Sequence, residues 1–265
     1  MKYAFMTFST PTQTLEEILA LVCEYGYDGL EPRLDAGHAH GIEVDATPAR
    51  RAELRSRCAE AGVPLACLAT SLRFVDADQA GEMLVAARER IDLACDVGCP
   101  RLRVFGGRVP AGTEREQAVD TVAAGLAGLA DHAEARGVTL CMETHDDWCH
   151  PGDVAAVMTH ADHPAVGVNW DIMHPVRMGL ASIDESFDML RPWIRHVHVH
   201  DGVQGEQLRL VPIGEGQIDH RQALKRLAEA GYEGFISGEW IDWEPYDRHL
   251  PRELATLQQY ERGIA

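Results

Sequence analysis

The stretch IRHVHVHDG, Ile194 to Gly202, places imidazoles at three alternate positions, His196, His198 and His200, and closes with Asp201. Alternate side chains of a strand share one face, so the three rings would line up together. Carboxylates recur in comparable settings: TLCMETH carries Glu143 and His145, VGVNWD ends in Asp171, and GFISGEW carries Glu239. Imidazole and carboxylate on one surface suit two kinds of chemistry, coordination of a divalent cation and transfer of a proton. Singly, each residue is ordinary. A strand-end carboxylate is usually a cap or an ion-pair partner, and a buried histidine is usually a hydrogen-bonded core residue. The set carries weight only if the fold brings its members to one place.

The elements that would do so repeat along the chain. An amphipathic helix ends at glycine and a short apolar strand follows, as in CEYGYDGLE, AEAGVPLAC, CDVGCPRLRV, EARGVTLCME and AEAGYEGFIS, with glycines at 26, 62, 98, 137 and 231. Glycine there supplies the left-handed conformation that ends a helix. The intervals are 36, 36, 39 and 94 residues, the last fitting two units, and such a period marks a repeated supersecondary element. Helix starts are marked by Thr14 with Glu17 and Thr113 with Glu116 as capping boxes, and by Thr47 before Pro48. The strands are YAFMTFS, DGLEPR, PLACLAT, RLRVFGG, TLCMETH, VGVNWD, RHVHVH and GFISGEW, each expected to lead into a helix. Alternating βα units argue for a parallel sheet, and eight of them in 265 residues argue for one closed (β/α)₈ TIM barrel spanning residues 1–265.

A barrel strand sends apolar residues outward to its helices, which sets the register. Leu140 and Met142 point out of the fifth strand, leaving Cys141, Glu143 and His145 inside. Val166, Val168 and Trp170 point out of the sixth, leaving Asn169 and Asp171 inside. Val197 and Val199 point out of the seventh, which turns all three histidines inward. Ile236 and Trp240 point out of the eighth, leaving Phe235, Ser237 and Glu239 inside. Four consecutive strands thus offer Glu143, Asp171, one or more of the histidines, and Glu239 near the C-terminal end, where active sites of this fold lie. Unpaired charges in a barrel mouth cost several kcal/mol each, on the order given by desolvation, unless a cation joins them. Three carboxylates with one imidazole form an oxygen-rich site for one divalent ion, Mn²⁺ first, with Mg²⁺ or Co²⁺ as alternatives.

Composition narrows the remaining classes. A formal net charge of −18 repels phosphate backbones and anionic lipid surfaces, so neither nucleic acid nor membrane is an expected partner. No apolar run is long enough for a signal peptide or a span, which predicts a cytoplasmic protein. The seven cysteines lack paired CxxC spacings and read as reduced, mostly buried thiols. No glycine-rich dinucleotide or P-loop fingerprint follows a strand.

The order CMETH, NWDIMH, HVHVHD, PIGEGQID and SGEW resembles the xylose isomerase-like TIM-barrel superfamily, which holds sugar isomerases and epimerases, 3-dehydroshikimate dehydratases and endonuclease IV. The resemblance implies one metal held by Glu143, Asp171, His198 and Glu239, with Glu143 and Glu239 also acting as base and acid. It implies that His174, three residues after Asp171, contacts a substrate oxygen, and that Gly214-Glu215-Gly216 forms a loop beside the site. Two departures stand out. A second Glu and an Arg that bind sugar in the ketose 3-epimerases are replaced by Cys149 and Gln204, so the pocket would be lined differently, by His145, His200, Arg209 or Trp148. Leu208 and Leu210 stand where endonuclease IV binds further metals.

A cation held by four protein groups keeps about two positions for an α-hydroxy carbonyl, whose neighbouring proton a carboxylate can remove to give an enediolate. The expected activity is therefore metal-dependent isomerisation or epimerisation of a sugar or keto-sugar. A lyase using the same enediolate is the alternative, a dehydratase or keto-glycoside eliminase, and a non-catalytic sugar-binding barrel is the third reading. The partner is a small carbohydrate or polyol-derived molecule, with a homo-oligomer left open. His38 and His40, in RLDAGHAHG, read as surface residues more than as substrate contacts.

Overall fold

The computed structural model describes residues 1–205 and 207–264, without the side chain of Gln204. Eight parallel strands form the sheet: β1 (Lys2–Met6), β2 (Gly29–Glu31), β3 (Leu68–Arg73), β4 (Arg101–Phe105), β5 (Thr139–Glu143), β6 (Val166–Asp171), β7 (Ile194–Val199) and, last, β10 (Phe235–Gly238). Their spatial order is β2-β1-β10-β7-β6-β5-β4-β3. Parallel bridges Leu30–Leu65 and Arg33–Ala69 join the two ends, so the expected barrel closes.

The helices between strands are α1 (Leu15–Tyr25), α2 (Pro48–Glu60), α3 (Ala80–Val97), α4 (Arg115–Ala135), α5 (Pro151–Ala161), the pair α6 (Met173–Arg177) and α7 (Ile183–Leu190), α8 (His220–Glu229) and the closing α9 (Tyr246–Arg262). Thr14 caps α1 in a full capping box with Glu17, and Thr47 caps α2 ahead of Pro48. The box expected of Thr113 and Glu116 does not form. α4 starts one residue later, with Glu114 at its N-cap and no side-chain cap. All five repeat glycines take positive φ, from 67° to 82°.

The core lies between sheet and helices, as the strand register predicts. Trp170 leaves the sheet to pack on Phe187 of α7, its indole N–H donating to Ser186 Oγ at 2.9 Å. Trp240 packs outward on the His249 ring of α9. Phe235 faces inward and meets Ala4 and Ala66 in a small separate cluster that plugs the barrel. All seven cysteines are free, five of them buried, with Cys23 exposed and Cys95 half-buried. No helix among the described residues is long and apolar enough to cross a membrane.

One connection differs from the simple repeat. β7 leads not into a helix but into an antiparallel hairpin, β8 (Asp201–Gln204) with β9 (Leu208–Val211), before the Gly-Glu-Gly turn and α8. The pairs Gly202–Leu210 and Gln204–Leu208 are short and carry little apolar alternation, so the strand signal is weak there.

Candidate active site

Glu143 ends β5, Asp171 ends β6, His198 lies in β7 and Glu239 follows β10, so four adjacent strands deliver them to one level of the mouth. Ligand atoms of these four residues all lie within 4.8 Å of one another, and all four side chains are buried. His198 is the hub. Its Nδ1 lies 2.8 Å from Glu143 Oε1, 3.4 Å from Glu239 Oε2 and 3.0 Å from the Asn169 side-chain amide. Burial opposes the charge on His198, but Glu31 and Glu143 outweigh it and hold its pKa well above the ordinary value. For Glu239, burial is outweighed by the hydrogen bond and charge of His198, and the carboxyl is held down at about 2.

Asp171 is fixed from its own chain. Oδ1 accepts the backbone N–H groups of Met173 at 2.8 Å and His174 at 3.1 Å, the start of α6, while Oδ2 lies 2.9 Å from His200 Nε2 and 3.8 Å from His174 Nε2. Burial is again outweighed, here by His200 and His174, so the carboxyl stays ionised far below its usual range. The rings of His145, His174 and His200 form a chain of edge contacts, 4.5 and 5.5 Å between centroids. His145 is also paired with Asp146 at 3.1 Å.

The three alternating histidines thus have three different partners. His200 meets Asp171, His198 joins the four-residue cluster, and His196, deepest, donates to a residue the sequence reading missed. Glu31, at the end of β2, is wholly buried, with Oε2 2.8 Å from His196 Nε2 and Oε1 3.0 Å from His198 Nε2. Burial is outweighed by both rings, so Glu31 remains ionised. It leaves His198 Nδ1 as the nitrogen available to the cluster, the arrangement by which a carboxylate orients a metal-binding imidazole. Arg103 on β4 was also missed. Its guanidinium is buried 3.3 Å from Glu143 Oε2, donates to Thr70 O at 2.7 Å and stacks on Phe105. Charge within a short strand was the one available signal in each case, a single Glu in GLE and one of two arginines in RLRVF.

Other expected residues fall outside the cluster. Arg209 is exposed on β9 of the hairpin, and Glu215 is exposed on its turn. Trp148 is wholly buried, its indole N–H donating to Gly107 O at 2.8 Å, so it braces a loop and has no face left for a sugar. Cys149 is buried, its thiol pushed up to about 12 by burial. His38 is half-buried beside Thr7 and Phe8. His40 is a correction: it is 1% exposed, with Nε2 3.1 Å from Arg33 O and Nδ1 accepting from Ile42 N–H at 3.0 Å. The Gly-Glu-Gly turn has a structural explanation. Asp201, fully buried, accepts the backbone N–H groups of Gly202, Gly214, Gly216 and Ile218 at 2.9 to 3.3 Å. A Cβ on Gly216 would lie 2.1 Å from its carboxylate.

Residues 19–260 match the model of the xylose isomerase-like TIM barrel. The chain belongs to that family. It is 21% identical to the 3-dehydroshikimate dehydratase of Bacillus anthracis, over 97% of this chain and 96% of the relative, and 22% identical to the fructoselysine 3-epimerase of Shigella flexneri, over 99% and 100%. An L-ribulose 3-epimerase structure superposes with a TM-score of 0.82 at 18% identity, covering 99% of this chain and 95% of that one. Relatives at this distance share the barrel while carrying different activities, a dehydratase among them as well as epimerases.

Proposed function

We propose that the chain is a divalent-metal-dependent isomerase or epimerase of a small sugar or keto-sugar. The observation that carries the reading is the cluster of Glu143, Asp171, His198 and Glu239, with all ligand atoms within 4.8 Å. The fit to a cation rests on the donors themselves: Glu143 Oε2 and Asp171 Oδ2 are buried and ion-paired with Arg103 at 3.3 Å and His200 at 2.9 Å without well-formed hydrogen bonds, so each keeps acceptor capacity that a cation would use. Three carboxylates and one imidazole favour Mn²⁺, with Mg²⁺ and Co²⁺ next. When bound, such an ion supplies Lewis acidity toward a carbonyl oxygen and its neighbouring hydroxyl.

The protein groups do the rest. Glu143 and Glu239 approach the same nitrogen of His198 from two strands, at 2.8 and 3.4 Å, and in this reading the two carboxylates flank the substrate carbon. One removes the proton next to the carbonyl, and the other returns a proton to the opposite face or the adjacent carbon. Arg103 holds Glu143 in place, and Glu31 fixes the His198 ring. His174 and His200, both against Asp171, steady substrate oxygens, and the buried rim keeps bulk water from the reacting carbon. A lyase is the second reading, favoured by the His145–Asp146 pair at 3.1 Å, which could hold a proton over a leaving group.

Proton NMR of keto-sugars and of 3-dehydroshikimate in D₂O, with Mn²⁺-loaded and metal-free protein, tests both. Metal-dependent exchange of the hydrogen next to the carbonyl supports proton transfer, and loss of a hydroxyl selects the lyase. A ligand that binds without exchange refutes both.

A further inference from the structure

His174 is the second residue of α6 and Arg177 the last, three positions apart and therefore neighbours on one face of the turn. Arg177 Nε–H donates to His174 Nδ1 at 2.9 Å. A guanidinium nitrogen has only a proton to offer, so Nδ1 is the acceptor and carries the lone pair. The ring proton then sits on Nε2, because a ring protonated on both nitrogens would set N–H against N–H in this contact. The bond thus selects one of two tautomers. His174 is buried, and the carboxylate oxygen facing its Nε2 is Asp171 Oδ2 at 3.8 Å, beyond hydrogen-bond reach. Among the described residues no acceptor lies within hydrogen-bond distance of that N–H, which stands beside a carboxylate of the cluster.

His198 is oriented the other way. Its partner is a carboxylate: Glu31 Oε1, 3.0 Å from Nε2, accepts that nitrogen's proton and leaves Nδ1 with a lone pair toward the cluster. An acceptor behind an imidazole makes the far nitrogen a ligand, and a donor behind it makes the far nitrogen a donor. The rule bears on a second group of residues. Asp171, His174 and His200 bring ligand atoms within 4.8 Å of one another, which by distance alone suits another cation. With Nε2 protonated, His174 has no lone pair to give there, so its ring is built to face an oxygen.

We propose that Arg177 is a positioning residue that fixes His174 as the Nε2–H tautomer, so that His174 meets the substrate as a hydrogen-bond donor to a carbonyl or hydroxyl oxygen and is not a ligand of a second cation. The substrate half of this assignment rests on the sugar-site reading above. The tautomer half does not.

Long-range ¹H–¹⁵N correlation NMR of the Mg²⁺-loaded protein, labelled with ¹⁵N-histidine, reads which ring nitrogen holds the proton, and His174→Gln identifies the His174 signals by their loss. The wild type should show a bare Nδ1 and a protonated Nε2. In Arg177→Met the two nitrogen signals should move toward the average of the tautomers, and Arg177→Lys, which keeps a cationic donor, should restore part of the preference. Fructose or 3-dehydroshikimate should shift the Nε2–H proton downfield with the tautomer unchanged. A proton on wild-type Nδ1 overturns the proposal, a result that stands even if the variants do not fold. An unchanged tautomer in a folded Arg177→Met overturns the role of Arg177. The donor role fails if neither compound moves the Nε2–H proton, or if a second equivalent of Mg²⁺ removes it. Absence of hydrogen exchange in D₂O with the downfield shift intact would remove the proton-transfer reading and leave this one standing.

Discussion

The two halves of the barrel contribute to the site in different ways. β5, β6, β7 and β10 supply the four clustered groups, Glu143, Asp171, His198 and Glu239, whereas β2 and β4 supply charges that hold them, Glu31 behind His198 and Arg103 beside Glu143. The first set converges on one small space. The second set reaches it only through another side chain. The contrast separates groups that could touch a cation or a substrate from groups that fix where those groups point, and the two should respond differently to substitution.

The largest expected effect lies in the first half. Glu143→Gln and Glu239→Gln keep a ligating oxygen but lose the base, so kcat should fall by roughly 10²-fold or more with metal still bound. Deuterium exchange at saturating Mn²⁺ reads this. Near wild-type turnover in both variants would move the proton transfer to His174 or His200.

The next concerns a buried group of the β2 side that touches neither cation nor substrate. Burial, with His38 nearby, lowers His40 to about 4, against a weaker opposing bond to the Arg33 carbonyl. The folded state thus disfavours the charged ring. Its contribution is whole above pH 6.5, the unfolded value, and is lost as the pH falls from there toward 4, up to about 3 kcal/mol. Urea unfolding at pH 7.5 and pH 5 should show a steeper loss in wild type than in His40→Gln. Equal slopes would make His40 irrelevant to acid sensitivity.

Glu31→Gln sharpens the comparison itself. If Glu31 acts through His198, metal affinity should drop by roughly 10- to 100-fold while the folded barrel remains. Calorimetry with Mn²⁺ measures it, and unchanged affinity would reduce Glu31 to a packing residue. The smallest effect is expected at Asp201→Asn, which weakens a carboxylate accepting four backbone N–H groups: about 1–2 kcal/mol of stability, with a raised KM from the looser turn. A normal melting temperature would show that the turn holds without it.

The first-half residues were legible because spacing carries them. Once apolar Val197 and Val199 face the helices, the histidines between them must face inward, and the same alternation places Glu143 and Asp171. Glu31 was hidden because β2 is three residues long, too short to show alternation, and because its partners lie 165 and 167 residues away in sequence. Arg103 was hidden for a related reason: it alternates with Arg101 in β4, and only the closed barrel tells which guanidinium meets Glu143. The β8–β9 hairpin was missed because the repeat predicts a helix after every strand, and its two short strands lack the alternation that would have overruled that expectation.

The central claim is that Glu143, Asp171, His198 and Glu239 together hold one divalent cation. Elemental analysis of the purified wild type and of the four single alanine variants tests it most directly. The account predicts about one equivalent of Mn²⁺ or a related ion per chain in the wild type after loading, and its loss in Asp171→Ala and His198→Ala. Undiminished metal in either variant, with the fold intact, would contradict the site.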